Sequence, residues 1–271
     1  MQPGIYNISN AEYHASDGIS KSKLFRIQKS PEWFKYLMDN PPEPTPDMVL
    51  GSAFHTLVLE PERFACEFAV CPQCDRRTKE GKALYAEFLE YSRGKTVLPE
   101  EDYRTITAMR DKLVQNKLAS ALLRGQIEQS YYWVDDLTGT LCRCRPDCIP
   151  NLKEPIIVDL KSCRCADTDT FMRDGIKLGY DVQAAMYKEG VEKHLGTPHR
   201  FVFVAVEKTP PYAINILQAE DPFIRRGQEL FRELLGIHRE CTETGNWYGY
   251  MGFSNSINTL PLPRWLVSDY E

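Results

Sequence analysis

Long apolar runs are missing from this chain. The densest stretches, "FVFVAV" and "PIIV", have strand length and fall far short of the roughly 20 residues that cross a bilayer, so no membrane partner is expected. The opening "MQPGIYNISN" lacks the basic and apolar regions of a signal peptide, which predicts a cytoplasmic protein. An excess of positive charge is also absent. The net charge of −5 argues against a protein that coats nucleic acid indiscriminately, and it leaves room for a local basic groove. No repeat or low-complexity tract occurs in the 271 residues, of which 42% are apolar, so one globular unit with a full core is expected.

A second CxxC is lacking too. Nine cysteines are present, an odd number that excludes a complete disulfide framework. Cys71 and Cys74 form one CxxC with Cys66 upstream, but no fourth ligand lies nearby and Cys241 stands alone. Neither a zinc site nor an iron–sulfur cluster is therefore expected, and the role of the three stays open. Cys142, Cys144 and Cys148 lie in or beside an apolar segment and read as small core residues.

What is present is a change of period along the chain. Ser20 and Ser30 each precede a helical stretch, the second with Pro31 at its first position. After the break "NPPEPTPD", the helix "MVLGSAFHTLVLE" carries Gly51, His55 and Leu59 on one stripe. Helices over 78–92 and 99–123 follow. "EQSYYWVDD", "GTLCRCRPD" and "EPIIVDLKS" then read as three consecutive strands divided by turn signals. A helix over 168–196, strands in "RFVFVAVEK" and "YAINILQ", and a long helix from Asp221 complete the order β-β-β-α-β-β-α. This predicts an α/β fold, a central mixed sheet flanked by helices. Residues 1–125 form a mainly helical addition, 126–218 the core sheet, and 219–271 a helix and tail.

Side-chain alternation sends Asp159 and Lys161 to one face of their strand, and Val158 and Leu160 to the other. Asp147 closes the preceding strand. If the two strands are neighbours, both carboxylates and the ammonium meet at one end of the sheet. Such a group suits a hard divalent cation, Mg²⁺ with Mn²⁺ as a substitute, and Lys161 would orient or deprotonate a nucleophile beside it. The reaction class is metal-assisted hydrolysis of a phosphodiester. "DLK" alone is a common tripeptide, and an exposed Asp–Lys pair is ordinarily just solvated. The "RPD" upstream and the histidine-bearing helix give it weight. Arg76, Arg77, Lys79 and Lys82 form a basic run, while alternation puts Arg143 and Arg145 on the face of Asp147. Guanidiniums suit phosphate contacts that position a DNA strand; a solvated helix start is the ordinary reading of the first run, while nearness to the site favours a phosphate or carboxylate partner for Arg143 and Arg145.

This context resembles the PD-(D/E)XK nuclease superfamily, with Pro146-Asp147 as the "PD" and Asp159-Leu160-Lys161 as the "(D/E)XK". Within it, the chain is similar to the RecE-type exonucleases, the phage-derived exonuclease VIII family. The likeness runs from "PGIYNISNAEYHASDGISKSKL" through "GSAFHTLVLEPERF", "DRRTKEGK", "YYWVDDLTGTLCRCRPD", "VDLKS" and "YDVQAAMY" to "LPLPRW". The fold it implies is the restriction-endonuclease-like core.

The resemblance implies that His55, Asp147, Asp159 and the Leu160 carbonyl ligate the metal and that Lys161 is the catalytic lysine. An isolated histidine on an apolar helix is otherwise a hydrogen-bonded core residue. Gln183 and Tyr187 match a QxxxY element that lies against the active site and the DNA strand, with a buried structural role as the alternative for Tyr187. Glu128, at the start of the first core strand, would hold an outer position beside the metal or be merely solvated. Further implications are Mg²⁺-dependent 5′→3′ digestion of linear duplex DNA, a homotetrameric ring, and a RecT-like single-strand annealing partner for the 3′ tails. Any additional domain is expected on another polypeptide. Two other readings stand beside this one: an endonuclease or CRISPR-adaptation-like trimming nuclease, and an inactive DNA-binding or recombinase-docking module.

Overall fold

A computed structural model describes residues 1–252 and 257–262; Pro263, Arg264 and Trp265 of the "LPLPRW" motif lie outside them. Strand β1 (Gly4–Tyr6) leads to α1 (Asn10–Ala15), which opens on a capping box between Ser9 and Glu12. Helix α2 (Lys21–Leu24) runs into a 3₁₀ turn (Phe25–Gln28) and then α3 (Pro31–Asp39). The Ser20 and Ser30 hydroxyls cap α2 and α3, accepting from Lys23 N–H and Trp33 N–H, as their positions in the sequence predict.

Next come α4 (Pro46–Leu59), α5 (Pro61–Glu67), β2 (Phe68–Val70), α6 (Lys79–Tyr91) and β3 (Thr96–Leu98). The helix expected over 99–123 is two, α7 (Glu100–Gln115) and α8 (Lys117–Leu122). Asn116 leaves helical geometry between them, and its side chain accepts from Leu118 N–H and Ala119 N–H. That local competition with the helical ladder ends α7.

Five strands stand where three were expected: β4 (Gly125–Ile127), β5 (Ser130–Val134), β6 (Leu141–Cys144), β7 (Cys148–Pro150) and β8 (Ile156–Cys163). β4 and β7 are too short to show alternation. The helix expected over 168–196 is also split, into α9 (Thr168–Leu178) and α10 (Tyr180–Leu195), by Gly179 at φ 70°. Only glycine takes that conformation without strain. β9 (Arg200–Glu207), β10 (Ile214–Gln218) and α11 (Asp221–Thr244) complete the described elements. No helix among the described residues is long and apolar enough to cross a membrane.

The strands form a mixed five-stranded sheet in the order β10-β9-β8-β7-β4, a three-stranded antiparallel sheet β1-β5-β6, and the parallel pair β2-β3. In the large sheet β8 and β9 are parallel, and the other pairs are antiparallel. Alternation along β8 and β9 divides the core in two. Val158, Leu160, Val202 and Val204 face one cluster, which includes Ala53, Phe54 and Leu57 of α4. Ile157, Phe201 and Phe203 face the other, with α10, α11 and the small sheet. Each such side chain contributes about 1.5–3 kcal/mol on burial. Both faces are covered, so Asp159 and Lys161 project under α10 rather than into open solvent. Cys142, Cys144 and Cys148 are fully buried in these clusters.

Candidate active site

The chain crosses twice between the two larger sheets, and both crossings deliver a carboxylate. It leaves β4 for β5 through Glu128, and it returns from β6 to β7 through Asp147. Asp147 therefore does not close β6, as the sequence suggested, but directly precedes β7. The crossings lie side by side, with Glu128 N–H donating to the Asp147 carbonyl at 3.2 Å. Glu128 has φ 52°, a left-handed conformation that non-glycine residues rarely hold without a structural or functional constraint.

β8 lies next to β7 and supplies the second acid. Leu160 N–H donates to Asp147 Oδ2 at 2.6 Å. Asp159 is 1% exposed; its Oδ2 pairs with Lys161 Nζ at 2.6 Å, and its Oδ1 accepts a hydrogen bond from the Gln183 amide. The Gln183 Oε1 in turn accepts from Lys161 Nζ at 3.2 Å. Gln183 thereby clamps the acid and the lysine together. Tyr187, one turn further along α10, packs edge-on against Phe201, the core position that the sequence left open for it.

His55 comes from α4, with Nδ1 3.7 Å from Asp147 Oδ2. His55, Glu128 and Asp147 each offer a ligand atom, all within 4.8 Å of one another. Glu128 thus lies in one cluster with His55 and Asp147. A cleft of about 500 Å³ opens over the group, lined by His14, His55, Arg63, Glu128, Lys161 and Tyr180, among others. Tyr180 carries the Lys161 ammonium 4.8 Å from its ring centre. It was not singled out from the sequence, although it precedes Gln183 by three residues on one helix face. Nothing in the local pattern marks His14.

The electrostatics follow from crowding acids in a buried place. Burial pushes the Glu128 carboxyl up to about 9, and the neighbouring Asp147 adds to the shift. Burial also lifts Asp147 to about 6, opposed by His55 and reinforced by Asp159. Burial works to lower Lys161, but Asp159, Tyr180 and Asp147 outweigh it and hold the ammonium above its usual range. Two carboxyls that burial holds toward their protonated forms, both within 4.8 Å of an imidazole nitrogen, make a place where added positive charge is favoured. An imidazole nitrogen with carboxylate oxygens is a donor set that fits a hard divalent cation.

Of the two arginines expected on the face of Asp147, Arg145 has a carboxylate partner there, its Nε 3.8 Å from Glu128 Oε2, and Arg143 is turned elsewhere. Arg143 is 1% exposed and donates to the Tyr13 and Ser16 carbonyls, the latter at 2.8 Å. Arg145 donates to the Ser130 hydroxyl at 2.7 Å and to the Ile8 carbonyl at 2.8 Å. Both guanidiniums lie over the Tyr13 ring, at 4.5 and 4.3 Å. They pin the N-terminal segment to the small sheet and are not presented to a DNA phosphate. Arg76 lies 3.7 Å over the Tyr85 ring and Arg77 pairs with Asp75 at 2.9 Å; neither lines the cleft.

Three comparisons bear on this geometry. The profile of a family described as a PDDEXK-like domain of unknown function (DUF3799) matches residues 20–259. Among solved structures, one named as a putative exonuclease, from Eubacterium rectale, matches with a TM-score of 0.64 and 14% identity. The match covers 98% of each chain, and at that identity what is shared is the fold. No curated protein matches significantly.

Proposed function

The chain belongs to the PDDEXK-like family, whose fold is that of nuclease-type hydrolases, and from that premise we propose a divalent-metal-dependent exodeoxyribonuclease of the RecE type. Its substrate is linear duplex DNA, degraded 5′→3′ to leave 3′ single-stranded tails. The observation that carries this reading is the convergence of His55, Glu128 and Asp147 within 4.8 Å, with Asp147 bonded to the strand that bears Asp159 and Lys161. An inactive binding or docking module has no need of that arrangement.

In this reading His55, Asp147, Asp159 and the Leu160 carbonyl hold the cation, with Glu128 beside them. Mg²⁺ is the natural occupant and Mn²⁺ a substitute. The cation supplies positive charge where the phosphodiester gains negative charge. Lys161, positioned by Asp159 and Gln183, orients the attacking water. The cleft admits the strand. The sequence likeness to RecE-type enzymes and the name of the solved neighbour favour digestion from an end. The same likeness supports a cytoplasmic homotetrameric ring that passes its 3′ tails to a RecT-like annealing protein.

The test is a linear duplex labelled at either the 5′ or the 3′ end, incubated with Mg²⁺ or EDTA, beside a supercoiled circle. Early release of the 5′ label, lost in EDTA and in Lys161→Ala, with the circle intact, is the expected result. Cutting of the circle would make the protein an endonuclease, and no cleavage with any divalent ion would end the nuclease reading.

A further inference from the structure

Residues 21–29, "KSKLFRIQK", carry four cations and no acid in a chain of net charge −5. Leu24 and Ile27 are buried and anchor the segment, while Lys21, Lys23, Arg26 and Lys29 stay at least partly accessible. The segment begins at the cleft. The ammoniums of Lys21 and Lys161 approach the same Tyr180 ring, 5.9 and 4.8 Å from its centre. Phe25 lies against Gly179, where an added Cβ would come within 2.5 Å of its ring.

The segment leads out to two aromatic rings on α3. Trp33 and Tyr36 are 38% and 54% exposed, stacked at 5.6 Å with 25° between their planes. The Lys29 ammonium sits 3.4 Å from the centre of the Trp33 ring. Among the described residues, the ion pair formed by residues 21–36 is Lys35–Asp39; of the four cations ahead of the rings, Lys21 and Arg26 donate to the Leu178 and Leu37 carbonyls, and none forms an ion pair.

We propose that the face from Lys21 through Lys29 to Trp33 and Tyr36 is a track for single-stranded DNA at the mouth of the cleft. This rests on reading the cleft as a nuclease site. Cations outside any ion pair, set at intervals, suit successive phosphates, and exposed rings suit base stacking, which any base can supply. Duplex DNA does not fit the rings, because its base faces are covered by their neighbours. A protein partner fits less well, because lysines interrupt the apolar surface that such docking uses.

The test is fluorescence anisotropy of a labelled oligo-dT of about 20 nucleotides in EDTA, where no cleavage occurs. The double variant Trp33→Ala/Tyr36→Ala should lose about tenfold or more in affinity. Lys29→Glu should weaken binding and flatten its salt dependence. Both should keep the thermal stability of the parent and its rate on a short blunt duplex with Mg²⁺. Failure of the parent to bind oligo-dT, or unchanged affinity in both variants, sinks the track. So does dissociation of an oligomer by the double variant, which would make this face a contact between copies. Cleavage by the parent with unaltered oligo-dT binding in the variants overturns the track and leaves the nuclease standing. Weakened binding in a protein that cuts nothing does the reverse.

Discussion

Asp147 and Leu160 are joined by a 2.6 Å hydrogen bond from the Leu160 N–H to the Asp147 carboxylate, so the acid on the crossing and the strand carrying the second acid are held as one unit. Asp147→Asn keeps an acceptor for that N–H, whereas Asp147→Ala leaves a buried donor unpaired, at a cost of about 1–3 kcal/mol. Both substitutions should abolish cleavage. Only the alanine should lower the midpoint of urea unfolding, and equal midpoints would show that the bond holds nothing.

Gln183 touches both Asp159 and Lys161. Gln183→Ala should lower kcat on the order of 10–100-fold, the usual cost of losing a group that orients a metal ligand, with little change in KM for DNA. A pure rise in KM would instead assign Gln183 to strand binding.

Glu128 and Asp147 both have folded pKa values above the ordinary carboxyl range, about 9 and about 6. The fold therefore favours their protonated forms. The stability this contributes is complete below the unfolded carboxyl pKa and is lost as pH rises through the folded values. In EDTA the melting temperature should fall from about pH 5 toward pH 9, and Glu128→Gln should flatten the upper part of that decline. Divalent ions must displace these protons, so their affinity should rise over the same window. Calorimetric titration in two buffers of different ionisation enthalpy reads the proton release directly.

Arg143 spends its guanidinium on the Tyr13 and Ser16 carbonyls. Arg143→Met should destabilise the protein by about 1–3 kcal/mol through the orphaned acceptors. It should leave the salt dependence of DNA binding in EDTA unchanged. A shallower salt slope would restore the phosphate role.

Gly190 lies where an added Cβ would fall 2.5 Å from the Trp133 ring. Gly190→Ala should cost about 1–3 kcal/mol by overpacking, measured by denaturant unfolding. A neutral result would mean that α10 can slide off β5 without penalty.

Alternation made Asp159 and Lys161 legible because β8 is a long strand with apolar residues at every other place. His55 was legible from the polar break in an apolar helix and from the family motif around it. Glu128 was legible only as a place beside the metal or a solvated strand start, since its closeness to His55 and Asp147 depends on a crossing between two sheets and on a backbone turn that no periodicity encodes. Arg143 was misread for a related reason, whereas Arg145 has the carboxylate partner expected of it in Glu128. Counting faces along one strand assumes that the outer face is wet, and here a segment about 130 residues earlier in the chain covers it. The split at Gly179 was written as a glycine inside a helical pattern and carried more weight than the pattern around it.

The seam between the sheets has a kinetic meaning as well. Glu128 and Asp147 stand in place only when β4 and β7 have joined the large sheet and β5 and β6 the small one. His55 arrives from a helix some ninety residues before Asp147. On the proposed reading, a chain in which either sheet is unformed would not bring His55, Glu128 and Asp147 together and should be catalytically silent. During refolding, activity should return only with the slowest long-range pairing step, after helical circular dichroism has already recovered.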